Sequence, residues 1–313
     1  MPAATRIAYL GPTGTFSELA VRQLSLAKDA ELLVFGAVSE VLTAVVSRQA
    51  ERAVVPIENS VEGGVSATAD ALATTAGLQI FGEYLVPVTF DLLVKKGSSL
   101  ESNAVIATHP VAYAQSRFWL QQHFPRHTHI PTASTAGAAQ AVAEGSDFDA
   151  AVAAPHVAGL YGLEVAGSNI GDNPNAQTRF LEVGPAGKPS ARTGSDKTSV
   201  VVELPDDRPG GLLEMLEQFA TRGVNLSRIE SRPIGDRLGR YRFNIDAEGH
   251  IDDEAIAEAL MGLHRFSPRV VYLGSYPRAD KSESVHLGNN SDARYQAARD
   301  WVRALGETGG ATD

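Results

Sequence analysis

Between residues 6 and 183, short β-rich runs alternate with stretches of helical periodicity, and few folds accept that order. A strand followed by a helix and another strand favours parallel pairing, with helices covering the sheet. The pattern predicts strands over 6–10, 32–35, 53–56, 104–107, 128–130, 150–153 and 178–183. Helices are predicted over 17–26, 40–48, 65–76, 110–123, 135–144 and 155–161. Residues 78–86 and 88–95 read as extended, with no helix between them. So many strands are crowded in one sheet, and a long helix-free stretch is out of place in one. Two α/β lobes joined by crossing strands explain both. Ligands of open α/β sheets bind at the carboxyl ends of the strands.

Residues 184–197, rich in Gly, Pro, Ser and charge, read as a linker. Beyond them strands are predicted over 198–204, 224–233, 240–247 and 270–276, with helices over 211–222 and 253–266. That order, βαββαβ, is the ferredoxin-like arrangement. The expected division is 1–185 as a two-lobed domain, 186–197 as linker, 198–277 as a second domain and 278–313 as a polar tail. A short helix is expected over 293–305 and disorder at the end.

The composition excludes several classes. The chain has 313 residues, a formal net charge of −10 and no cysteine. An acidic chain makes a poor nucleic-acid binder, which needs a basic face, but it can still hold an anion in a local site. Without cysteine there are no disulfides, thiolate nucleophiles or thiolate metal ligands. No HExxH motif occurs, so no metal is expected. No signal peptide and no membrane span are expected, and the expected location is cytoplasmic.

Polar groups concentrate in five places. In "VPIENSVEGG", Glu58, Asn59, Ser60 and Glu62 surround a turn that needs only its proline or glycines. In "GPTGTFSELA", Thr15 and Glu18 have capping-box spacing, with Ser17 between them. Ser134 and Thr135 open one helix, and Thr108 and His109 precede Pro110 at the start of another. These hydroxyls either cap helices or mark helix N-termini that converge on an anion. No P-loop or GxGxxG accompanies them, which argues against a nucleotide. In "DNPNAQTRF", Asp172 and its neighbours suit a turn, whereas Thr178 beside Arg179 at a strand entry either binds and protonates a ligand or is a solvated strand end.

In this order "GPTGTFSELA", "VPIENSVEGGV", "THPVAYAQ", "STAGAAQAVA" and "DNPNAQTRF" resemble the prephenate dehydratases, and "GGLLEMLEQFATRGVNLSRIESRP" resembles the ACT regulatory domain attached to them. The resemblance runs from about residue 6 to 277. It implies a periplasmic-binding-protein-like catalytic domain followed by a ferredoxin-like ACT domain. Val111 stands where the family commonly has a polar residue, and Gly211 replaces the usual Ala of "GAL", an exchange expected to loosen that helix start.

The resemblance implies conversion of prephenate to phenylpyruvate, with loss of carbon dioxide and water, in phenylalanine biosynthesis without a cofactor. By resemblance Thr178 leads the catalytic residues, acting through a preorganised hydrogen bond because threonine is a very weak acid. Asn59 and Ser60 are expected in the cleft as neutral donors. Glu58 and Glu62 are expected to fix the loop by accepting backbone N–H bonds, since they would repel a dianion. Thr15, Ser17, Ser134 and Thr135 are expected to hold the carboxylates. Arg179 either orients Thr178, pairs with a carboxylate or forms a structural ion pair, and His109 either binds substrate or only caps a helix. Gly210, Leu212, Leu213, Asn225, Glu230, Ser231, Arg232 and Pro233 are expected to form or support a phenylalanine site shared between chains, which implies a homodimer or homotetramer and feedback inhibition.

Three rivals stand beside this expectation. Arogenate dehydratase differs only in its substrate's amino group. A two-lobed amino-acid sensor would lack catalysis, which the intact Thr178, Arg179 and Phe180 argue against. A fusion to chorismate mutase is disfavoured because no helical domain precedes Arg6.

Overall fold

The computed structural model describes residues 4–205, 208–235, 239–282 and 290–308. The chain forms two compact units: residues up to 71 with 84–185, and residues 72–83 with those from 186 onward. The elements up to residue 185 are β1 (Arg6–Leu10), α1 (Phe16–Val21), β2 (Glu31–Phe35), α2 (Val38–Val46), β3 (Arg52–Asn59), β4 (Gly63–Gly64), α3 (Ser66–Thr74), β5 (Leu78–Pro87) and β6 (Asp91–Val94). They continue with β7 (Val105–Thr108), α4 (Pro110–Ala114), α5 (Arg117–His123), β8 (Thr128–Pro131), α6 (Thr135–Glu144), β9 (Ala150–Ala153), α7 (Val157–Tyr161), β10 (Glu164–Gly167) and β11 (Gln177–Pro185).

The first unit holds two sheets, as the strand count demands, with β5 belonging to it from residue 84 on. One has the order β2-β1-β3-β11-β5, with β4 beside β3, and the other β10-β6-β9-β7-β8. Their centres are apolar runs covered on both faces: Ile7, Ala8 and Tyr9 of β1 and all four residues of β9 are buried. In the second sheet Leu92, Val94, Ala150 and Val152 face one core while Leu93, Ala151 and Ala153 face another, the alternation of a sheet covered on both sides. Each buried Leu, Val or Phe contributes roughly 1.5–3 kcal/mol. In α6, Ala136, Ala138, Ala139 and Val142 are buried, small enough to bring the helix close to the sheet.

The sheets are mixed rather than purely parallel. β1 runs parallel to β2 and β3, and β7 to β8 and β9, but β11 opposes β3, and β6 opposes β9 and β10. The antiparallel strands flank the two segments in which the chain crosses between lobes. These crossings bond to each other, Val88 N–H to the Ala176 carbonyl at 2.8 Å and Ile170 N–H to the Phe90 carbonyl at 2.8 Å.

Three local differences have physical causes. The helix expected over 110–123 breaks into α4 and α5, because the Asp172 N–H takes the Gln115 carbonyl at 2.6 Å and the Asp172 carboxylate takes the N–H groups of Phe118 and Trp119. The helix expected over 17–26 ends early and tightens into a 3-10 turn at Ser25–Asp29. β3 extends through Pro56 to Asn59, so "PIEN" is strand rather than turn. Proline is tolerated there because the pairing with β1 stops at Val54 and the register with β11 shifts beside Pro56.

In the second unit β12 (Asp196–Glu203), α8 (Gly211–Ala220), β13 (Leu226–Pro233), β14 (Tyr241–Glu248), α9 (Glu254–Phe266) and β15 (Arg269–Pro277) build an antiparallel sheet of order β13-β14-β12-β15. This is the expected βαββαβ arrangement. Its core joins Val200, Val202, Phe243 and Ile245 of the sheet to Met215, Phe219, Ile256 and Leu263 of the helices. Residues 72–83 pack within this unit: Lys197 pairs with the buried Glu83 at 2.9 Å, and a Cβ added at Gly274 would lie 2.4 Å from the Ile80 carbonyl. α10 (Asp292–Thr308) covers the expected helix over 293–305 and is tied to α9 by Arg299 and Glu254 at 2.7 Å. Disorder was expected from Gly306 on, yet α10 runs to Thr308; residues 283–289 and 309–313 of the expected tail lie outside the described residues.

Candidate active site

Between the lobes of the first unit lies a cleft of about 390 Å³. Its walls come from both lobes, with Phe16, Val88, Phe90, Val111 and Phe180 supplying apolar surface.

At its polar centre β3 meets β11. Thr178 stands opposite Asn59, and the Asn59 Nδ2 donates to the Thr178 Oγ at 2.8 Å. The Asn59 Oδ1 accepts from the Val61 and Glu62 N–H groups at 2.9 and 3.1 Å. These two bonds assign the amide orientation, so the Asn59 NH2 faces Thr178. Thr178 therefore accepts from Asn59 and keeps its own O–H to donate. The register shift leaves Ile57 as an extra residue, and Pro56 and Asn59 both line the cleft although three positions apart.

Strand alternation separates the neighbours. Thr178 and Phe180 line the cleft; Arg179 does not, and its guanidinium pairs with Glu58 at 3.2 Å. Of the alternatives for Arg179, the structural ion pair is the one observed. Ser60 is exposed and outside the lining: its N–H donates to the Gln177 carbonyl and its Oγ accepts from the Gln177 N–H, both at 2.9 Å. It clamps β3 to β11 rather than facing a ligand. The glutamates do not fix the loop as expected. Asn59 does that, Glu58 holds Arg179, and Glu62 lines the cleft as an exposed carboxylate.

Thr15, Ser17, Ser134, Thr135 and His109 all line the cleft. The expected capping box is absent: the Thr15 hydroxyl donates to the Leu10 carbonyl at 3.1 Å, and Glu18 accepts from the Gly14 N–H at 2.7 Å. Ser134 does cap, accepting from the Gly137 N–H at 3.0 Å. The first N–H groups of α6 have no carbonyl partner within the helix, and the residues at its start, Ser134 and Thr135, line the cleft. His109 caps α4, its Nδ1 accepting from the Val111 N–H at 3.3 Å, which leaves Nε2 as the protonated donor. Burial lowers its pKa from 6.5, while Glu62 opposes that shift. It both caps and lines.

Gln115 escaped the sequence reading, although "THPVAYAQ" contains it. It is 5% exposed, lines the cleft, and neither its Nε2 nor its Oε1 has a partner. A buried amide left unbonded costs stability unless a ligand satisfies it. Nothing in its spacing marked it, because the break between α4 and α5 arises from Asp172. None of the lining residues is Lys or Arg. His123 and His127 stand four apart, but among the described residues no group of three or more His, Cys, Asp or Glu could hold a metal.

In the second unit Gly210 adopts a left-handed conformation (φ 85°) before α8, and Leu212 and Leu213 are 44% and 59% exposed. Asn225 and Ser231 are exposed, and Glu230 pairs with Arg228. Leu216 packs against the core instead.

The family profile described as prephenate dehydratase matches residues 7–188, and that of the ACT domain matches 198–265. A prephenate dehydratase of Mycobacterium tuberculosis (strain H37Rv) is 45% identical over 280 residues, 87% of each chain. The crystal structure of a prephenate dehydratase from Arthrobacter aurescens in complex with L-Phe is 48% identical with a TM-score of 0.92, covering 97% of this chain and all of that one. A structure described as GqqA, a novel type of quorum quenching acylase, is 33% identical with a TM-score of 0.77, covering 87% of this chain and 98% of that one.

Proposed function

This chain belongs to the prephenate dehydratase family and carries an ACT domain, and on that footing we propose that its cleft performs the dehydration with Thr178 as the hydrogen-bond donor to the departing hydroxyl. The reaction takes prephenate to phenylpyruvate. The bond from the ring to its carboxylate breaks, its electrons enter the ring, and the C–O bond to the hydroxyl breaks as the ring becomes aromatic. The dianion takes up one proton, and phenylpyruvate, carbon dioxide and water result. Aromatisation drives the step, so the site's task is to hold two carboxylates and stabilise charge on the leaving oxygen.

The observation that carries this reading is the Asn59–Thr178 hydrogen bond inside a largely apolar cleft. With an acceptor position occupied, the Thr178 hydroxyl is left to act as a donor, and the apolar walls strengthen that dipole. The carboxylates meet neutral donors: the start of α6 with Ser134 and Thr135, the hydroxyls of Thr15 and Ser17, the Gln115 amide and the His109 Nε2–H. Thr178→Val keeps shape and removes the hydroxyl. Turnover should fall by about 10²-fold or more, measured as phenylpyruvate formation, while Thr178→Ser keeps a substantial part. Near-normal turnover by the valine variant would remove Thr178 from the mechanism.

Glu62 favours a second reading. A carboxylate lining the cleft suits the ammonium group of arogenate better than the keto group of prephenate. Parallel kcat/KM values for the two substrates decide it.

The same reading assigns 1–185 to catalysis, 186–197 to a linker, 198–277 to the ACT domain and 278–313 to a polar tail, in a cytoplasmic enzyme. L-Phenylalanine is its feedback effector, bound beside Gly210, Leu212, Leu213, Asn225, Glu230 and Ser231. The exposed leucines support a site completed by another copy, in a homodimer or homotetramer.

A further inference from the structure

The turn over residues 11–15 contributes Gly11 and Thr15 to the cleft and is gripped from both lobes. From its own lobe, the Glu18 carboxylate, on a residue 5% exposed, accepts from the Gly14 N–H at 2.7 Å and holds the Arg22 guanidinium on its other oxygen. From the other lobe, the Tyr161 hydroxyl donates to the Thr13 carbonyl at 3.2 Å. Gly14 itself lies against that lobe: a Cβ there would stand 2.9 Å from Leu160 Cδ2, 3.4 Å from Val157 Cγ2 and 3.5 Å from Ala136 Cβ. Its φ of +89° suits glycine as well. Phe16, the next residue after the turn, packs edge-on with ring centroids 5.8 Å apart against Phe90, a crossing-segment residue whose side chain joins the core of the second lobe.

We propose that this turn is an interlobe latch, and that Glu18 and Tyr161 are positioning residues for substrate binding. Two chain crossings already join the lobes, so a second junction sets how far the cleft can open. It also fixes Thr15 and Ser17 of the first lobe against Ser134 and Thr135 of the second. Neither Glu18 nor Tyr161 lines the cleft. Burial and the nearby Glu18 raise the Tyr161 pKa, which keeps the hydroxyl a donor. The latch acts on binding more than on the chemical step, because Thr178 and Asn59 lie outside the turn.

This inference rests on the cleft being the prephenate site. The test compares KM and kcat for prephenate in the full chain and four variants. Tyr161→Phe loses one hydrogen bond, and its KM should rise roughly 3- to 10-fold with kcat within about twofold. Glu18→Ala should do the same, and Glu18→Gln, which keeps an acceptor for Gly14, should return KM toward the unaltered value. Tyr84→Phe removes a half-buried hydroxyl bonded to Glu182 at 2.9 Å, away from the turn, and controls for general loosening. Its KM should not move. An unchanged KM in Tyr161→Phe, or an equal rise in Tyr84→Phe, would overturn the latch alone. No turnover by the unaltered chain would overturn the cleft reading and the latch with it.

Discussion

On the proposed reading, Thr178 is a weak acid recruited as a hydrogen-bond donor. Its environment supplies what its chemistry lacks: the Asn59 amide occupies one acceptor position of the hydroxyl, and apolar walls line the cleft around it. The resemblance put Thr178 and Asn59 in one expected cleft, although the sequence reading placed Asn59 in a turn and did not pair the two. It did not show which partner faces which way, because that depends on a register shift at Ile57 that no local spacing encodes. Ser60 and Arg179 were drawn into the expected site by adjacency in sequence, and strand geometry turns both away. His109 is the cleft residue expected to give the site a pH dependence. Its pKa is lowered by burial, so the unfolded chain binds its proton more readily than the folded one. The associated stability is fully present above the ordinary imidazole value of 6.5 and is lost as pH falls from there through the lowered value. Protonating Nδ1 also breaks its bond to Val111. Prephenate kcat/KM should therefore hold through pH 6.5 and decline only as pH passes the lowered His109 value beneath it, and His109→Gln should flatten that limb. An unaltered acid limb in the variant would assign it elsewhere.

The helices and strands around the cleft were mostly readable, because their periods are set by burial on known faces. β1, β9 and α6 have the expected bounds. The elements that went astray are those fixed by distant partners: the split of α4 from α5 by Asp172, and β10, whose pairing with β6 depends on the crossing of the chain. Antiparallel strands were missed for the same reason, since direction follows from which lobe the chain is leaving. α6 has two tasks at one end. Ser134 spends its oxygen on the Gly137 N–H, while Thr135 opens to the cleft. Ser134→Ala should cost about 1 kcal/mol of stability, read as a lower denaturant midpoint. The same variant should raise KM for prephenate, because a frayed first turn no longer presents its N–H groups. A normal midpoint would mean that the cap contributes little.

The expected linker over 186–197 overlaps β12, which starts at Asp196, and no sequence signal placed residues 72–83 with the unit built around the ACT sheet. That packing rests on buried partners far away in sequence, Glu83 with Lys197 and the Ile80 backbone against Gly274. A chain ending at Lys188 retains every residue that lines the cleft, yet it leaves Glu83 buried or newly exposed without its cation. It should melt at lower temperature than the full chain and show no response to L-phenylalanine, which calorimetry and inhibition curves would report. Retained inhibition in that fragment would sink the ACT domain as the effector site. The most direct measurement is phenylpyruvate formation from prephenate by the full chain and by Thr178→Val, side by side, after both are shown to be folded. The account predicts turnover by the first and its loss by about 10²-fold or more in the second. Equal rates, or no turnover by the unaltered chain, would contradict it.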